Sequence, residues 1–492
     1  MKRIIIIFLL GTAGVLTVPA QQVVLNLEQT IEIAADSSLQ AFIAQNLYQS
    51  SYWEYRSFKA ARLPSLTLRM TPIQYNRRFE NRYDSEQNID VYRQQQTLYS
   101  YGGLSLSQNL DVTGGTFFIN SDLTYRRNFG DQLNTQFTSI PIRVGYEQSL
   151  FGFNSFKWEK RIEPLKFEKA QKQFLYNKED ISSQATQVFF DLATAQTEYE
   201  MAIDNVASSD TLYRIGEGRF EIMAITQANL MSLKLDVLNA QNRLKNAEID
   251  LARAMFAFVS FLNMEKDTPV RLELPDKPTD LSITVEMALE QARENNPDFL
   301  DNRQRILESE MNVDRTQKSA VFDASFSASI GFNQVAQNFG DAYRNPLQQD
   351  IVNVTLSIPL IDWGVRKGRA NMANNNLNVT RISVQQKEIN IEQDVIMTVN
   401  DFNVQKGLMQ RAEEAMQLAN TIYNSTIEQF IIGRADINSL TLSLNRQKEA
   451  QKSYVSALKN YWLSYYTIRK LTLFDFEKQE KISDEFNRKY GF

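Results

Sequence analysis

Cysteine and histidine are both absent from this 492-residue sequence. The first absence removes disulfides, thiolate chemistry and any lipid carried on a cysteine. The second removes the commonest metal ligand and general base. No phosphate loop of the G-x-x-x-x-G-K-[ST] kind occurs either. The expectation is a protein with no cofactor, no metal and no catalytic residue, and not an enzyme. Carboxylates are plentiful, but no pair stands out from solvated helix faces. Charge of one sign is also missing. With 53 basic and 58 acidic residues the formal net charge is −5, which carries no bias toward nucleic acid.

Glycine (18) and proline (11) are scarce, and the prolines are bunched. None lies between Pro19 and Pro64, between Pro164 and Pro269, or after Pro359. An interior proline costs a helix about 3 kcal/mol, so these intervals can hold long helices. Tyrosine-rich, glycine-bearing text fills 64–164, and a shorter patch of the same kind fills 320–360.

Beyond the N-terminus there is no long hydrophobic run. Met1-Lys2-Arg3, then IIIIFLLGTAGVLTV, then Val18-Pro19-Ala20 have the layout of a secretory signal peptide, residues 1–20. Its apolar run of about 15 residues is shorter than the roughly 20 a membrane helix needs. No later segment reaches that length, so membrane insertion has to be by β-strands.

What is present is a change of period. In VTLSIPLIDWGVRKGRA (354–370), apolar residues first fall on every second position, from Val352 through Ile358 to Leu360. After Trp363 the text turns polar and runs without proline to Phe492. Alternation predicts a strand with one apolar face, and the proline-free run predicts helix. Other alternating stretches are Leu66, Leu68 and Met70; Phe117, Ile119, Leu123 and Tyr125; Ile140 to Tyr146; and Ala324 to Phe332. Strands that are apolar on one face and polar on the other suit either a half-buried soluble sheet or a membrane barrel with a wet lumen. Export, with no short helices to cover a second layer, favours the barrel.

The chain is also a tandem duplication. LFGFNSFKWEK (150–160) faces LIDWGVRKGRA (360–370), and Phe220 faces Phe430, at an offset of 210. LNLEQTIEIA (25–34) faces ITVEMALEQA (283–292) at an offset of 258, which leaves about 48 extra residues in the first copy, between about 76 and 140. The domains read as signal peptide 1–20, first repeat 21–275, second repeat 276–475 and a tail 476–492. Each repeat reads helix, strands, long helix, turn, long helix, with turns near 216–226 and 430–438. The extra residues could supply a strand pair around Leu104–Leu110 and Thr116–Arg127, or an extracellular cap.

The helices carry heptads. Leu233, Val237, Ala240, Leu244, Ala247, Leu251, Ala254, Phe258 and Phe261 keep strict 4-3 spacing, the mark of coiled-coil packing. Ala450, Tyr454, Ala457, Tyr461, Ser464, Ile468 and Leu471 answer in the second copy. A helix of about 60 residues from 156 would extend roughly 90 Å.

Gly433 follows Phe430-Ile431-Ile432 at the reversal between two long helices, where positive φ is most useful. Its counterpart Met223 lacks that freedom, so Gly216 and Gly218 are expected to make the first turn.

MALEQARENNPDF, LSIPLIDWGVRKGRA, FIIGRADINSL and the duplication together resemble a TolC-family outer-membrane factor. The resemblance covers nearly the whole mature chain. It implies a mixed α and β fold, a trimeric transmembrane β-barrel continued by a long periplasmic α-helical barrel. It implies the outer-membrane channel of a tripartite efflux or type I secretion system in a Gram-negative bacterium. The implied partners are two further copies (a homotrimer), outer-membrane lipid, a periplasmic adaptor (membrane fusion) protein and an inner-membrane pump of RND, ABC or MFS type, with no nucleic acid. The alternative is a non-transporting outer-membrane scaffold or adhesin.

In that family Pro359 and Gly364 lie at the passage from strand to helix. The first copy has Ser149 where the second has Pro359, so its junction is expected from the LFGFN geometry around Gly152. At the tips, Asn229, Ser439 and Leu442 stand where the family often has aspartates. This departure from the family pattern points to a closed state held by packing among Phe220, Met223, Phe430 and Leu442 instead of by charge.

Overall fold

The computed structural model describes residues 23–484 and 488, apart from 85–87, 130–133, 267, 276–280 and 321. The expected signal peptide, 1–20, lies outside the described residues. The first repeat contains strand β1 (Val23–Leu25), helices α1 (Leu27–Ser37) and α2 (Leu39–Ala60), strands β2 (Ser65–Asp84), β3 (Ile89–Asn109), β4 (Thr116–Phe129) and β5 (Asn134–Ser149), then helices α3 (Ser155–Glu221) and α4 (Gln227–Phe261). The second contains β6 (Val270–Leu272), α5 (Val285–Asn295), α6 (Pro297–Ala320), β7 (Asp323–Ala336), β8 (Leu347–Ser357), α7 (Val365–Ile431) and α8 (Ile437–Thr472). Strands β9 (Phe474–Asp475) and β10 (Glu480–Lys481) follow. The duplication is visible in the lengths: α3 and α7 have 67 residues each, α4 has 35 and α8 has 36.

The chain forms two compact units. One comprises residues 47–172 and 297–391, the other the remaining three segments. The first unit holds one antiparallel sheet in the order β2-β3-β4-β5-β7-β8, unpaired at β2 and β8. The extra residues of the first copy are therefore strands. Most of β3 and all of β4 lie in the sheet, paired from Gln96↔Phe129 to Asn109↔Thr116.

Near the helix end of the sheet, below register shifts at Thr71/Gln74, Asn120/Asp122 and Ser139/Arg143, rows of one character cross the strands. Leu66 pairs Leu106, Leu106 pairs Ile119, Ile119 pairs Val144 and Val144 pairs Ile330, which makes one apolar row. The adjacent row on the other face runs Thr67, Ser105, Asn120, Arg143, Gly331 and Gln349. Hydrogen bonds cross that polar face: Ser105 Oγ donates to Asn120 at 2.6 Å and the Tyr101 hydroxyl to Asp122 at 2.7 Å, while Arg143 Nε and Gln349 Oε1 are buried without a partner among the described residues. The apolar face remains exposed, from Leu66, Leu68 and Met70 on β2 to Val352, Val354 and Leu356 on β8. A contiguous exposed apolar face of this kind marks a membrane or protein contact.

Helical residues of the same unit are tied by charge across the repeats. Asp301 on α6 accepts from Lys169 of α3 at 3.2 Å and from Lys387 of α7 at 3.3 Å. Burial alone would raise the Asp301 carboxyl, but Lys169, Lys387 and Arg305 together hold it below the usual range.

The second unit is helical, with β1 and β6 as a parallel pair. The heptad residues turn inward: Leu233, Val237, Ala240 and Phe258 of α4 are buried, as are Tyr461, Ser464 and Ile468 of α8. At its centre lies a buried ion cluster. Arg469 makes two bonds to Glu179 on α3, at 3.0 and 3.1 Å, and one to Asp475 at 2.7 Å. Tyr465 also donates to Asp475 at 2.9 Å. Burial pushes the Tyr465 phenol up, and Arg469, opposed by burial, is raised by Glu179 and Asp475. In the stretch AREN-NP, Asn296 donates through Nδ2 to the Leu471 carbonyl at 2.9 Å, satisfying an orphan group at the end of α8. No helix among the described residues is long and apolar enough to cross a membrane.

Candidate functional site: strand-to-helix junctions and helix tips

The second junction is built on two left-handed residues. Strand β8 ends at Ser357, so Pro359 lies past the last rung, where a missing N–H costs nothing. Trp363 (φ 56°) and Gly364 (φ 85°) then lead the chain into α7. Gly364 takes a positive φ that glycine adopts freely, while Trp363 takes the same region without a glycine's freedom. Asp362 holds the turn: its carboxylate accepts from the Gly364 N–H at 3.0 Å and the Arg366 N–H at 3.2 Å. Those two backbone donors pull the Asp362 carboxyl below its ordinary value. Composition concealed this cap, although Asp-x-Gly before a helix is a capping signal.

The first junction uses other means. The helix start is capped by Asn154, which accepts from the Lys157 N–H at 3.1 Å. The same side chain donates to the Asp111 carbonyl in the β3–β4 turn at 3.0 Å. Arg62 binds the Asp111 carboxylate at 2.6 Å and the Phe156 carbonyl at 2.9 Å. At Gly152 the chain lies close to Ser149: a Cβ there would meet the Ser149 Oγ at 2.0 Å and its Cβ at 2.9 Å, so the serine would have to shift. Both junctions leave apolar side chains bare: Leu150 and Phe151 in the first, and Leu360, Ile361 and Trp363 in the second, the last 93% exposed.

The tips are two copies of one motif. Ala224 N–H bonds the Arg219 carbonyl and Arg434 N–H the Gln429 carbonyl, each at 2.8 Å. Met223 and Gly433 N–H bond the Phe220 and Phe430 carbonyls at 2.9 and 3.0 Å. These are Schellman pairs that close α3 and α7. Met223 itself adopts φ 58°, against 80° at Gly433. The expectation that Gly216 and Gly218 make the first turn is corrected: both lie inside α3. A Cβ on Gly216 would meet Leu233 Cδ1 at 2.5 Å, so that glycine serves the approach of α3 to α4.

The returning helices start on side-chain caps. Thr226 Oγ1 accepts from the Asn229 N–H at 3.2 Å, and Asp436 accepts from the Ser439 N–H at 2.8 Å. Asn229 and Ser439 are thus the third residues of α4 and α8. Ser439, through its side chain and then its backbone, lowers the Asp436 carboxyl.

Of the four apolar tip residues, only Phe430 is buried, at 2% exposure, against Tyr423 and Leu440. Phe220, Met223 and Leu442 are exposed in the protomer and are not brought together there. Charge joins the two tips instead. Arg219 Nη2 donates to the Phe430 carbonyl at 2.7 Å, with its guanidinium 4.7 Å from the Phe430 ring centre. The signal for it was a basic residue in the last turn of α3.

Residues 288–472 match the family described as outer membrane efflux protein. This stretch belongs to that family. No curated protein matches the sequence. Among solved structures, the chain is similar to the Campylobacter jejuni CmeC outer membrane channel, at 14% identity and TM-score 0.64, over 93% of this chain and 89% of that one. The outer membrane protein VceC of Vibrio cholerae is similar at 14% identity and TM-score 0.63, over 91% and 95%. The open state of the Neisseria gonorrhoeae MtrE outer membrane channel gives 11% identity and TM-score 0.59, over 91% and 88%. At these identities the likeness is one of fold, and it extends over both repeats.

Proposed function

We infer that this protein is the outer-membrane channel of an efflux or secretion system, a passive duct that performs no catalytic step. The observation that carries the reading is the six-stranded sheet. It has an uncovered apolar face, a hydrogen-bonded polar face and two unpaired edges. In lipid, each unpaired backbone group costs several kcal/mol, so such a sheet has to close with other copies of itself. Three copies are the number that the family favours, with α3, α4, α7 and α8 of each forming the periplasmic wall.

The bare apolar residues of the junctions suit outer-membrane lipid, since Trp and other aromatic side chains collect at the membrane–water boundary. The tips are where a periplasmic adaptor protein would dock, with an inner-membrane pump of RND, ABC or MFS type supplying the energy. Arg219 on Phe430 serves as the latch that keeps one protomer's two tips together.

Reconstitution in planar bilayers tests the reading against that of a scaffold or adhesin. A duct conducts once the tips are released, whereas a scaffold gives no conductance even then. Recovery of a soluble monomer in place of a detergent-stable outer-membrane trimer would overturn the reading as a whole.

A further inference from the structure

The second repeat contributes two strands to the sheet, and the first contributes four. We propose that all six span the outer membrane, so that the assembled trimer closes an eighteen-stranded barrel. The count rests on the trimer inferred above; the membership of β3 and β4 rests on the protomer alone.

Three observations carry it. First, the apolar row passes through the inserted pair without changing face: Leu106 on β3 and Ile119 on β4 stand between Leu66 and Val144. The polar row does the same through Ser105 and Asn120. A cap outside the membrane has no reason to keep one apolar face in register with its neighbours. Second, β3 has 21 residues and β4 has 14, each long enough for the about 9–11 residues that a crossing strand needs. Third, the β3–β4 turn is fastened at the helix end of the sheet. Asp111 is held there by Arg62 and, through its carbonyl, by Asn154, the cap of α3. The hairpin thus turns at the same end at which β5 passes into α3.

Closure also works. All neighbours are antiparallel, so the edge strands β2 and β8 run in opposite directions. Copies related by rotation then join β8 of one to β2 of the next in antiparallel pairing, with apolar faces outward on both. With strands about 4.8 Å apart and tilted about 40°, eighteen strands give a backbone diameter of about 36 Å. Twelve, the number if β3 and β4 lay outside the wall, give about 24 Å. A barrel of the larger size encloses an aqueous channel. Its polar row makes the membrane crossing a wide, wetted passage for bulky hydrophilic cargo.

The absence of cysteine makes a thiol test clean. Leu106→Cys and Ile119→Cys, and separately Ser105→Cys and Asn120→Cys, are placed in the full chain in lipid nanodiscs. They are reacted with a charged, membrane-impermeant maleimide. The expected result is labelling at least ~10-fold faster at 105 and 120 than at 106 and 119. Equal rates on the two faces would overturn the proposal. Electron cryomicroscopy of the unmodified protein, counting strands and protomers, gives the second readout. Eighteen strands from three protomers support it. Three protomers with four strands each overturn this inference alone. A protomer number other than three overturns the trimer reading, and the figure of eighteen with it.

Discussion

Met223 and Gly433 hold equivalent places in the two repeats, and both have positive φ, 58° and 80°. The same Schellman bonds close both helices, but one copy does so with a residue whose Cβ disfavours the conformation. A left-handed non-glycine residue costs about 1–2 kcal/mol. The first tip therefore carries strain that the second does not. Met223→Gly should stabilise the first hairpin by about 1 kcal/mol. Gly433→Val should destabilise the second by more than Gly433→Ala does, because a β-branched residue is an outlier at positive φ. Hydrogen exchange of the tip amides, measured on intact trimer, checks both directions. Equal exchange in Met223→Gly and the parent would show that the first tip is unstrained.

Arg219 is expected to hold the resting tip. Hydrogen bonds from charged groups contribute about 1.5–3 kcal/mol, so Arg219→Ala should shift the closed-to-open ratio about 10-fold or more. Single-channel recording reads that ratio. Arg219→Lys should lie between, since an ammonium can bond the Phe430 carbonyl but lacks the planar stacking on the ring. Unchanged conductance in Arg219→Ala, with normal trimer yield, would remove the latch from the proposal.

Lys448 on α8 is half-buried beside α3 and donates to Asn205 Oδ1 at 2.6 Å. Burial, with Arg243 adding repulsion, pushes its amine down to about 8. A depressed amine means that the unfolded chain binds more protons between about pH 8 and the ordinary value of 10.5. Stability from this site therefore rises with pH across that window and is lowest below it. Lys448→Met should raise thermal stability at pH 7, with the gain shrinking steadily from pH 8 upward. Melting curves at pH 7, 9 and 10.5 follow the trend; a gain that grows with pH would contradict the assignment.

The Arg469 cluster should make the helical unit acid-sensitive. Burial acts to raise the Asp475 carboxyl, but Arg469 and the Lys478 N–H outweigh it and hold the group below 3.8. Its contribution is present above that value and is lost as pH falls through the lower folded one. Breaking a buried pair on one side typically costs about 3–5 kcal/mol, so Asp475→Asn should lower the melting temperature near neutral pH and flatten the acid limb. Circular dichroism from pH 7 down to 2 measures both. A parallel acid limb in the variant would place the acid sensitivity elsewhere.

A replacement in the heptad seam separates packing from surface charge. Ala240 is almost wholly buried, so Ala240→Phe should cost about 1–3 kcal/mol by overpacking. Glu248, exposed and bonded to Lys245 three residues away, should tolerate the same change. Lys459 does not belong with Glu248, because it reaches Asp191 on α3 at 2.7 Å. Denaturant midpoints of the three variants rank them.

Period and punctuation determined most of this protein in advance. Alternation at Leu66 to Met70 and at Val352 to Ile358, the proline-free intervals and the 210-residue offset are local or copied patterns. They follow from the pleat, the helix repeat and gene duplication without any knowledge of neighbours. Pro359 and Gly364 were legible for the same reason, since each constrains its own backbone. Tertiary structure decided what depends on residues far apart in the chain. Arg219 and Phe430, or Arg469 and Glu179, carry no mutual signal, because a hydrogen bond across 211 or 290 positions leaves no spacing to read. The inserted residues were the clearest case. Their alternation suited a cap as well as a wall, and only the pairing of Leu106 with Leu66 and Ile119 placed them in the sheet. Met223 shows the converse: its own sequence argues against a left-handed turn, and the closing bonds of α3, with the hairpin it must form, impose one.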